Sequence, residues 1–184
     1  MDSERDRSTG VTTASTATLP AGAVRALDFD ALYRAARDDV FAYTATLLND
    51  RGAAEDVTAL AFERAYRRRS RFDARRGSPR AWLFGIARNA ALDELRRRRR
   101  AATTPLPEAR PEPAPDEAAE QAAERDAVRR ALRSLQARDR ELIALKYHAD
   151  LSNAEIAAVV GVTPSNAGTQ LHRAMTKLRE ALDA

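Results

Sequence analysis

The 184-residue chain reads as an all-α protein of two small helical domains joined by a Pro-rich linker, the second containing a helix-turn-helix. Three observations predict this. Alanine and arginine dominate and β-branched runs are scarce, a mixture with strong helix propensity. Apolar residues recur at three- and four-residue steps along several separate stretches, which is the helical period. Five prolines, Pro105, Pro107, Pro111, Pro113 and Pro115, then crowd a short central segment that no helix can cross.

The first 27 residues are rich in Ser, Thr, Ala and Gly and carry no apolar core behind a basic start, so they read as a disordered arm and not a signal peptide. The expected compartment is the cytoplasm, and no segment is long and apolar enough for membrane insertion. From Asp28, the residues Phe29, Leu32, Tyr33, Ala36, Val40, Tyr43 and Leu47 mark an amphipathic helix reaching about Leu48. Asn49 to Gly52 form a break. A second helix follows, with Glu55 and Asp56 expected in its first turn, where acids suit the helix dipole.

Arg71 to Gly77 form a basic loop, and Ser78-Pro79 opens a third helix, because a Ser N-cap accepts from orphan amides and Pro has no amide to leave unpaired. This helix should run to about Arg98. Its Trp82, Leu83, Ile86, Ala90 and Leu95 would pack, leaving Arg80, Arg88, Asn89 and the run Arg96 to Arg100 to solvent or ligand. These elements make a domain of residues 28–100, followed by a linker over 101–118. The acids of 101–126 outnumber the arginines seven to two, which fits ordinary solubility, or a segment lying in a basic channel of a partner or folding back on the arginines.

The second domain, 119–184, begins with a helix whose stripe is Ala119, Ala122, Val128, Ala131 and Leu132, with Leu135 at its end. Arg138 to His148 gives the next. Ser152-Asn-Ala-Glu155 is a capping box opening a short helix that Gly161 ends, and Thr163-Pro164 opens the last helix, with Ala167, Leu171, Ala174, Met175, Leu178 and Leu182 as its seam. A short capped helix, a glycine turn and a longer helix are the anatomy of a helix-turn-helix, whose second helix enters the major groove by its N-terminal residues. The residues exposed there are Ser165, Asn166, Thr169, Gln170, His172 and Arg173, beside the cap Thr163. Asn and Gln pair bidentately with adenine, and Arg with guanine.

Charge points the same way. The whole chain is only +4, yet residues 64–100 hold fourteen arginines against three acids, a local balance of +11. Interleaved with Tyr66, Phe72, Trp82 and Phe84, they fit a surface that holds phosphates and offers rings for base stacking. The chain has no cysteine, which removes disulfides, thiolate nucleophiles and most structural zinc sites. His148 and His172 are surface or groove histidines. With no phosphate loop, nucleophile elbow or catalytic dyad, neither an enzyme nor a cofactor is expected.

Two sets of motifs carry a family resemblance. Ala54-Glu55-Asp56-Val57, Phe62 to Tyr66, and Trp82 to Asn89 with Asp93 and the arginines form one; Leu151 to Ala157, Gly161 to Pro164, and Leu171 to Ala174 form the other. Together they resemble a bacterial RNA polymerase sigma factor of the extracytoplasmic-function (ECF) group, which keeps only region 2 and region 4. The resemblance implies that Glu55, Asp56, Phe62, Arg64 and Tyr66 dock on core RNA polymerase. It implies that Arg75, Arg76, Arg80, Trp82, Arg88, Asn89, Arg96 and Arg97 recognise and help melt the minus-ten promoter element. Thr163, Ser165, Asn166, Thr169, Gln170, His172 and Arg173 would read the minus-thirty-five element, and an anti-sigma factor would be a further partner. The chain departs from the family pattern at Ala59 and Leu60 in the docking helix and at Gly168 and Gln170 in the reading helix. The alternatives are a stand-alone helix-turn-helix regulator, which would bind duplex DNA without polymerase, and a helical adaptor for acidic protein or RNA.

Overall fold

The computed structural model describes residues 27–101 and 119–183; the expected arm and the proline-rich linker lie outside them. Among the described residues there are seven α-helices: α1 (Phe29–Leu48), α2 (Arg51–Arg68), α3 (Pro79–Ala101), α4 (Ala119–Ser134), α5 (Ala137–Tyr147), α6 (Asn153–Val160) and α7 (Pro164–Leu182). Two single 3₁₀ turns, Arg69–Arg71 and Ala74–Arg76, bridge α2 to α3.

Local chemistry sets most of these boundaries. Asp28 accepts from the Ala31 amide at the start of α1, and Asn49, at φ 51°, closes it in the left-handed conformation. Asp50 then caps α2 at once, so the break is two residues long and Arg51 and Gly52 are already helical. Glu55 and Asp56 therefore fall in the second turn of α2, not the first, and Glu55 pairs with Arg51 one turn earlier. Ser78 accepts from the Ala81 amide at the start of α3. The capping box of Ser152 and Glu155 forms in full, Gly161 takes φ 76° at the end of α6, and Thr163 accepts from the Asn166 amide.

Helices α1, α2 and α3 pack mutually around Val40, Tyr43, Ala61, Leu83 and Phe84; α4, α5 and α6 each pack on α7. The all-α class and the helix-turn-helix are as expected. Three stripe residues depart: Tyr33 and Val128 are each 41 % and Leu182 44 % exposed, since Tyr33 lines a surface groove beside α1, Val128 lies on the outer side of α4 and Leu182 is the last residue of α7.

The two halves also share a core. Helix α5 packs on α1 and α6 packs on α3, and Leu142, Leu145, Leu151 and Ile156 join the same buried cluster as Tyr43 and Phe84. From Glu141 to Leu145 five consecutive residues of α5 are buried. No helix can bury five in a row against one neighbour, so α5 is enclosed between the halves.

Candidate nucleic-acid interface

The basic loop before α3 is held at two points. Asp73 caps the second 3₁₀ turn through the Arg75 amide and also receives two hydrogen bonds from the Arg75 guanidinium, which keep its carboxyl below the usual range. Phe72 sets its ring edge-on to Trp82, centroids 5.6 Å apart. Trp82 itself is half-buried, leaving part of its ring open, and Arg76 and Asn89 are exposed. Phe84, in contrast, is fully buried against Tyr43 and offers no ring for stacking; its position one turn from Arg80 and Arg88 turns it into the core.

Arg80 and Arg88, expected on an open face, are both engaged. The Arg80 guanidinium donates to Asp39 Oδ2 at 2.6 Å, to the His148 carbonyl at 2.9 Å and to the Ala149 carbonyl, and lies over the Phe84 ring. It thereby binds the carbonyls of the C-cap His148 and of the next residue, at the end of α5 where the helix dipole favours a cation. Arg88 Nε donates to Glu141 Oε1 at 2.6 Å, and the other oxygen of that buried carboxylate accepts from Arg138 at 2.9 Å. Around them Ser78 Oγ donates to Glu155, and His148 Nε2 meets Thr46 Oγ1 at 3.1 Å.

The arginine tail of α3 is partly neutralised. Glu94 takes two hydrogen bonds from Arg97 and one from Arg98, which hold its pKa at about 2; Arg98 also reaches Asp50, and Arg96 reaches Asp93. Arg64 pairs with Asp93 as well. The local balance of +11 thus overstates the charge free to meet phosphate, because Asp39, Asp50 and Glu141 come from elsewhere in the chain.

Helix α7, the second helix of the helix-turn-helix, presents Ser165, Asn166, Thr169, His172 and Arg173 to solvent beside its exposed cap Thr163, with Gln170 half-buried. Gln170 Nε2 donates to Asn166 Oδ1 at 2.8 Å, and its carbonyl accepts from Arg138 at 3.4 Å, so the two amides are oriented as a pair. Gly168 lets α7 pass α6 closely: a Cβ there would stand 3.2 Å from the Asn153 amide nitrogen.

In the first half, a groove of about 480 Å³ runs between α1 and α2, with Tyr33, Phe41, Thr58 and Phe62 as its walls and Glu55 and Arg51 among its lining residues. Phe62 is buried beneath the edges of Phe29 and Tyr33. Asp56 is exposed, whereas Tyr66 lies at the far end of α2 with the Arg69 guanidinium 3.8 Å from its ring centre. Of the expected docking set, the groove therefore holds only Glu55 and Phe62; Arg64 pairs with Asp93 of α3, Asp56 is exposed outside the groove, and Tyr66 stands at the start of the basic loop.

The sequence profile described as Sigma-70 region 2 matches residues 32–101, and that described as Sigma-70, region 4 matches 125–178. The ECF RNA polymerase sigma factor SigC of Mycobacterium tuberculosis is 34 % identical over 150 residues, covering 81 % of this chain and 80 % of the relative. The chain belongs to the ECF RNA polymerase sigma factors. SigM of Bacillus subtilis is 26 % identical over 155 residues, covering 83 % of this sigma factor and 94 % of that one. Among solved structures, the sigma factor RpoE from Bartonella quintana, in complex with NepR, shares the fold at TM-score 0.72 and 24 % identity, over 85 % of this chain and 98 % of that one. CnrH in complex with the cytosolic domain of CnrY follows at TM-score 0.61 and 25 % identity, over 84 % and 87 %.

As a sigma factor the protein directs promoter-specific transcription initiation, and the stand-alone regulator is not favoured. Among the described residues no helix is long and apolar enough to cross a membrane. Sequence reasoning misses Asp39, Arg138, Glu141 and His148 as partners of this surface. Only Glu141 carries a signal, as an acid opening the otherwise apolar run Leu142 to Leu145.

Proposed function

We propose that this sigma factor works in the cytoplasm as a non-catalytic subunit of the polymerase holoenzyme, with its roles divided between residues 28–100 and 119–184. Glu55, Asp56, Phe62 and Arg64 belong to the face that docks on core polymerase, where the groove between α1 and α2 offers apolar walls beside paired charges. Tyr66 stands at the border between that face and the basic loop. Arg75, Arg76, Arg80, Trp82, Arg88, Asn89, Arg96 and Arg97 meet the minus-ten element; melted strands need a ring to stack on and a cationic track, and the loop and α3 supply both. Thr163, Ser165, Asn166, Thr169, Gln170, His172 and Arg173 meet the minus-thirty-five element through the major groove.

The observation that carries this reading is the presence, in one chain, of a cationic loop and helix bearing Trp82 and of a fully capped helix-turn-helix. A single-stranded tract and a duplex tract of the same promoter need those two devices. An anti-sigma factor is a further partner of this chain, by likeness to RpoE and CnrH, each solved with a bound protein.

The test is transcription from a promoter library by core polymerase with and without this protein, with sequencing of the transcript starts. New starts that share two spaced elements support the assignment. Their absence, with duplex binding by the protein alone, refutes it.

A further inference from the structure

We propose that Arg138 of α5 is a positioning residue for promoter reading: acting through Gln170, it fixes which edge of the Asn166 amide faces the groove, and so selects guanine over adenine at one base pair of the upstream element. The inference deepens the reading above that α7 meets the minus-thirty-five element, and it rests on that reading.

The side chains concerned stand in a line from α5 to α7. Arg138 Nη1 donates to Glu141 Oε2 at 2.9 Å and Arg138 Nε donates to Gln170 Oε1 at 3.4 Å, so two different nitrogens fix the guanidinium between an acid and an amide. Glu141 is buried and anchors that end of the line. Gln170 Nε2 then donates to Asn166 Oδ1 at 2.8 Å, one turn back along α7. Side chains four apart on a helix share a face, and here the face carries the exposed Asn166 and the half-buried Gln170.

The polarity of the line follows from Arg138. A guanidinium has five donors and no acceptor. The Gln170 atom that faces it is therefore oxygen, the Gln170 atom that faces Asn166 is nitrogen, and Asn166 answers with its own oxygen. The Asn166 amino group is left on the side away from Gln170, in the first turn of α7, and the N-terminal residues of such a helix are the ones that contact base edges. Turning the Gln170 amide over would set donor against donor at Arg138 and acceptor against acceptor at Asn166. The Arg138 contact is long and Gln170 is only half-buried, so the observed orientation outweighs the reversed one by on the order of tenfold, about one net hydrogen bond.

Base chemistry converts that polarity into a choice. Adenine offers the major groove an acceptor at N7 and a donor at N6, and a free Asn or Gln amide matches both. Guanine offers two acceptors, N7 and O6. In the oriented pair each amide oxygen is already taken by a neighbour, and the remaining hydrogens lie on Asn166 Nδ2 and Gln170 Nε2. Two donors match guanine, whereas the amino group of adenine would meet a second donor.

The experiment uses the full chain with core polymerase on promoters whose upstream element is randomised, with sequencing of the transcripts. Asn166→Ala and Gln170→Ala locate the base pair concerned, which should be guanine–cytosine in one orientation for the parent. Arg138→Met removes the donor and should lower the guanine-to-adenine preference at that pair about tenfold, the size of one base contact, with the other upstream positions unchanged. A merely structural loss would weaken every upstream position together. Arg138→Lys, which keeps a donor, should retain the preference. Gln170→Glu leaves Arg138 in place and reverses the polarity: a carboxylate has no donor, so Asn166 turns its amino group inward and its oxygen out. The preference should then move to a pair that presents an amino group there, adenine–thymine or the first pair reversed. Circular dichroism establishes that each variant keeps its helices.

If neither alanine variant changes any upstream position, α7 does not read the element through these residues, and the reading above falls with the proposal. If they mark a pair that is adenine–thymine in the parent, or if Gln170→Glu or a folded Arg138→Met leaves its preference in place, the reading stands and the positioning role of Arg138 is overturned.

Discussion

Arg80→Lys separates the observed structural role of one side chain from the DNA contact proposed for it, because it keeps the positive charge and discards the fork. Arg80 makes three contacts that a single ammonium cannot reproduce together, to Asp39, to the His148 carbonyl and to the Ala149 carbonyl. Hydrogen bonds from a charged donor contribute roughly 1.5 to 3 kcal/mol each, so losing two of the three sets an upper bound of about 6 kcal/mol. The side chain is 27 % exposed and Asp39 45 %, so water replaces part of what is lost, and the retained charge still favours the end of α5. About 2 kcal/mol remains, a shift of roughly 30-fold in the equilibrium that holds α5 in place.

Thermal unfolding followed by circular dichroism should therefore show a midpoint lower by about 4 to 8 °C. Amide exchange should accelerate at the C-terminal end of α5 and over His148 and Ala149, whose carbonyls lose the Arg80 guanidinium. Arg80→Met, which loses the charge as well, should go further. Single-stranded DNA binding by Arg80→Lys should be retained, since an ammonium neutralises a phosphate as a point charge. A lysine variant within about 0.5 kcal/mol of the parent, the range of an ordinary surface change, would refute the view that Arg80 clamps α5.

Acid should open the interface. Burial lowers the His148 pKa despite the opposing pull of Asp39 on α1; Arg80 of α3, which binds the His148 carbonyl, is the other charge beside it. A depressed pKa means the closed form prefers neutral His148, so its stability is full above the ordinary histidine value and is lost as pH falls below it. The closed-to-open ratio, read from energy transfer between dyes at Ser70→Cys and Glu180→Cys, should fall as pH drops from about 7.5 to about 5.5, by at most about tenfold per pH unit, and His148→Gln should flatten the change. Tyr43→Phe should stabilise the fold by up to about 1 kcal/mol in chemical denaturation, because the buried Tyr43 hydroxyl finds no protein partner among the described residues; destabilisation by more than that would show that the hydroxyl is bonded. Gln170→Ala should change base preference in the upstream element alone, worth about 1 to 3 kcal/mol at the affected base pair, in a selection from randomised promoters.

The parts of this protein that are legible in the sequence are those written in local chemistry. Ser78, Ser152 and Thr163 announce helix starts through side chains that act within three residues, and each cap forms as spelled. The error at Glu55 and Asp56 has the same local origin: Asn49 adopts the left-handed conformation in place of a glycine, and Asp50 caps immediately, which moves the start of α2 upstream. The reading surface of α7 is equally visible, because an amphipathic helix that starts at Thr163-Pro164 leaves only one face for solvent. The misreading of Phe84 shows the limit of counting rings: spacing places it on α3, and only the approach of Tyr43 shows that it faces inward.

The contact between the halves is illegible for a different reason. A stretch of arginines reads as charge available to a partner, and nothing in the primary sequence says that Glu141, 53 positions beyond Arg88, will claim one of them. The signal that does exist lies in α5, where Glu141-Leu-Ile-Ala-Leu145 cannot put its apolar side chains on a single face. Five consecutive buried positions require neighbours all round, and α6 and α7 cover only part of such a helix. The remaining cover has to come from beyond the second half, and α1 supplies it. A buried acid at the start of that run then needs cations on both sides, and the nearest supplies are Arg138 one turn before it and the face of α3 that carries Arg88. The closed arrangement thus follows from the enclosure of α5, and the capture of Arg88 follows from the charge that α5 brings with it.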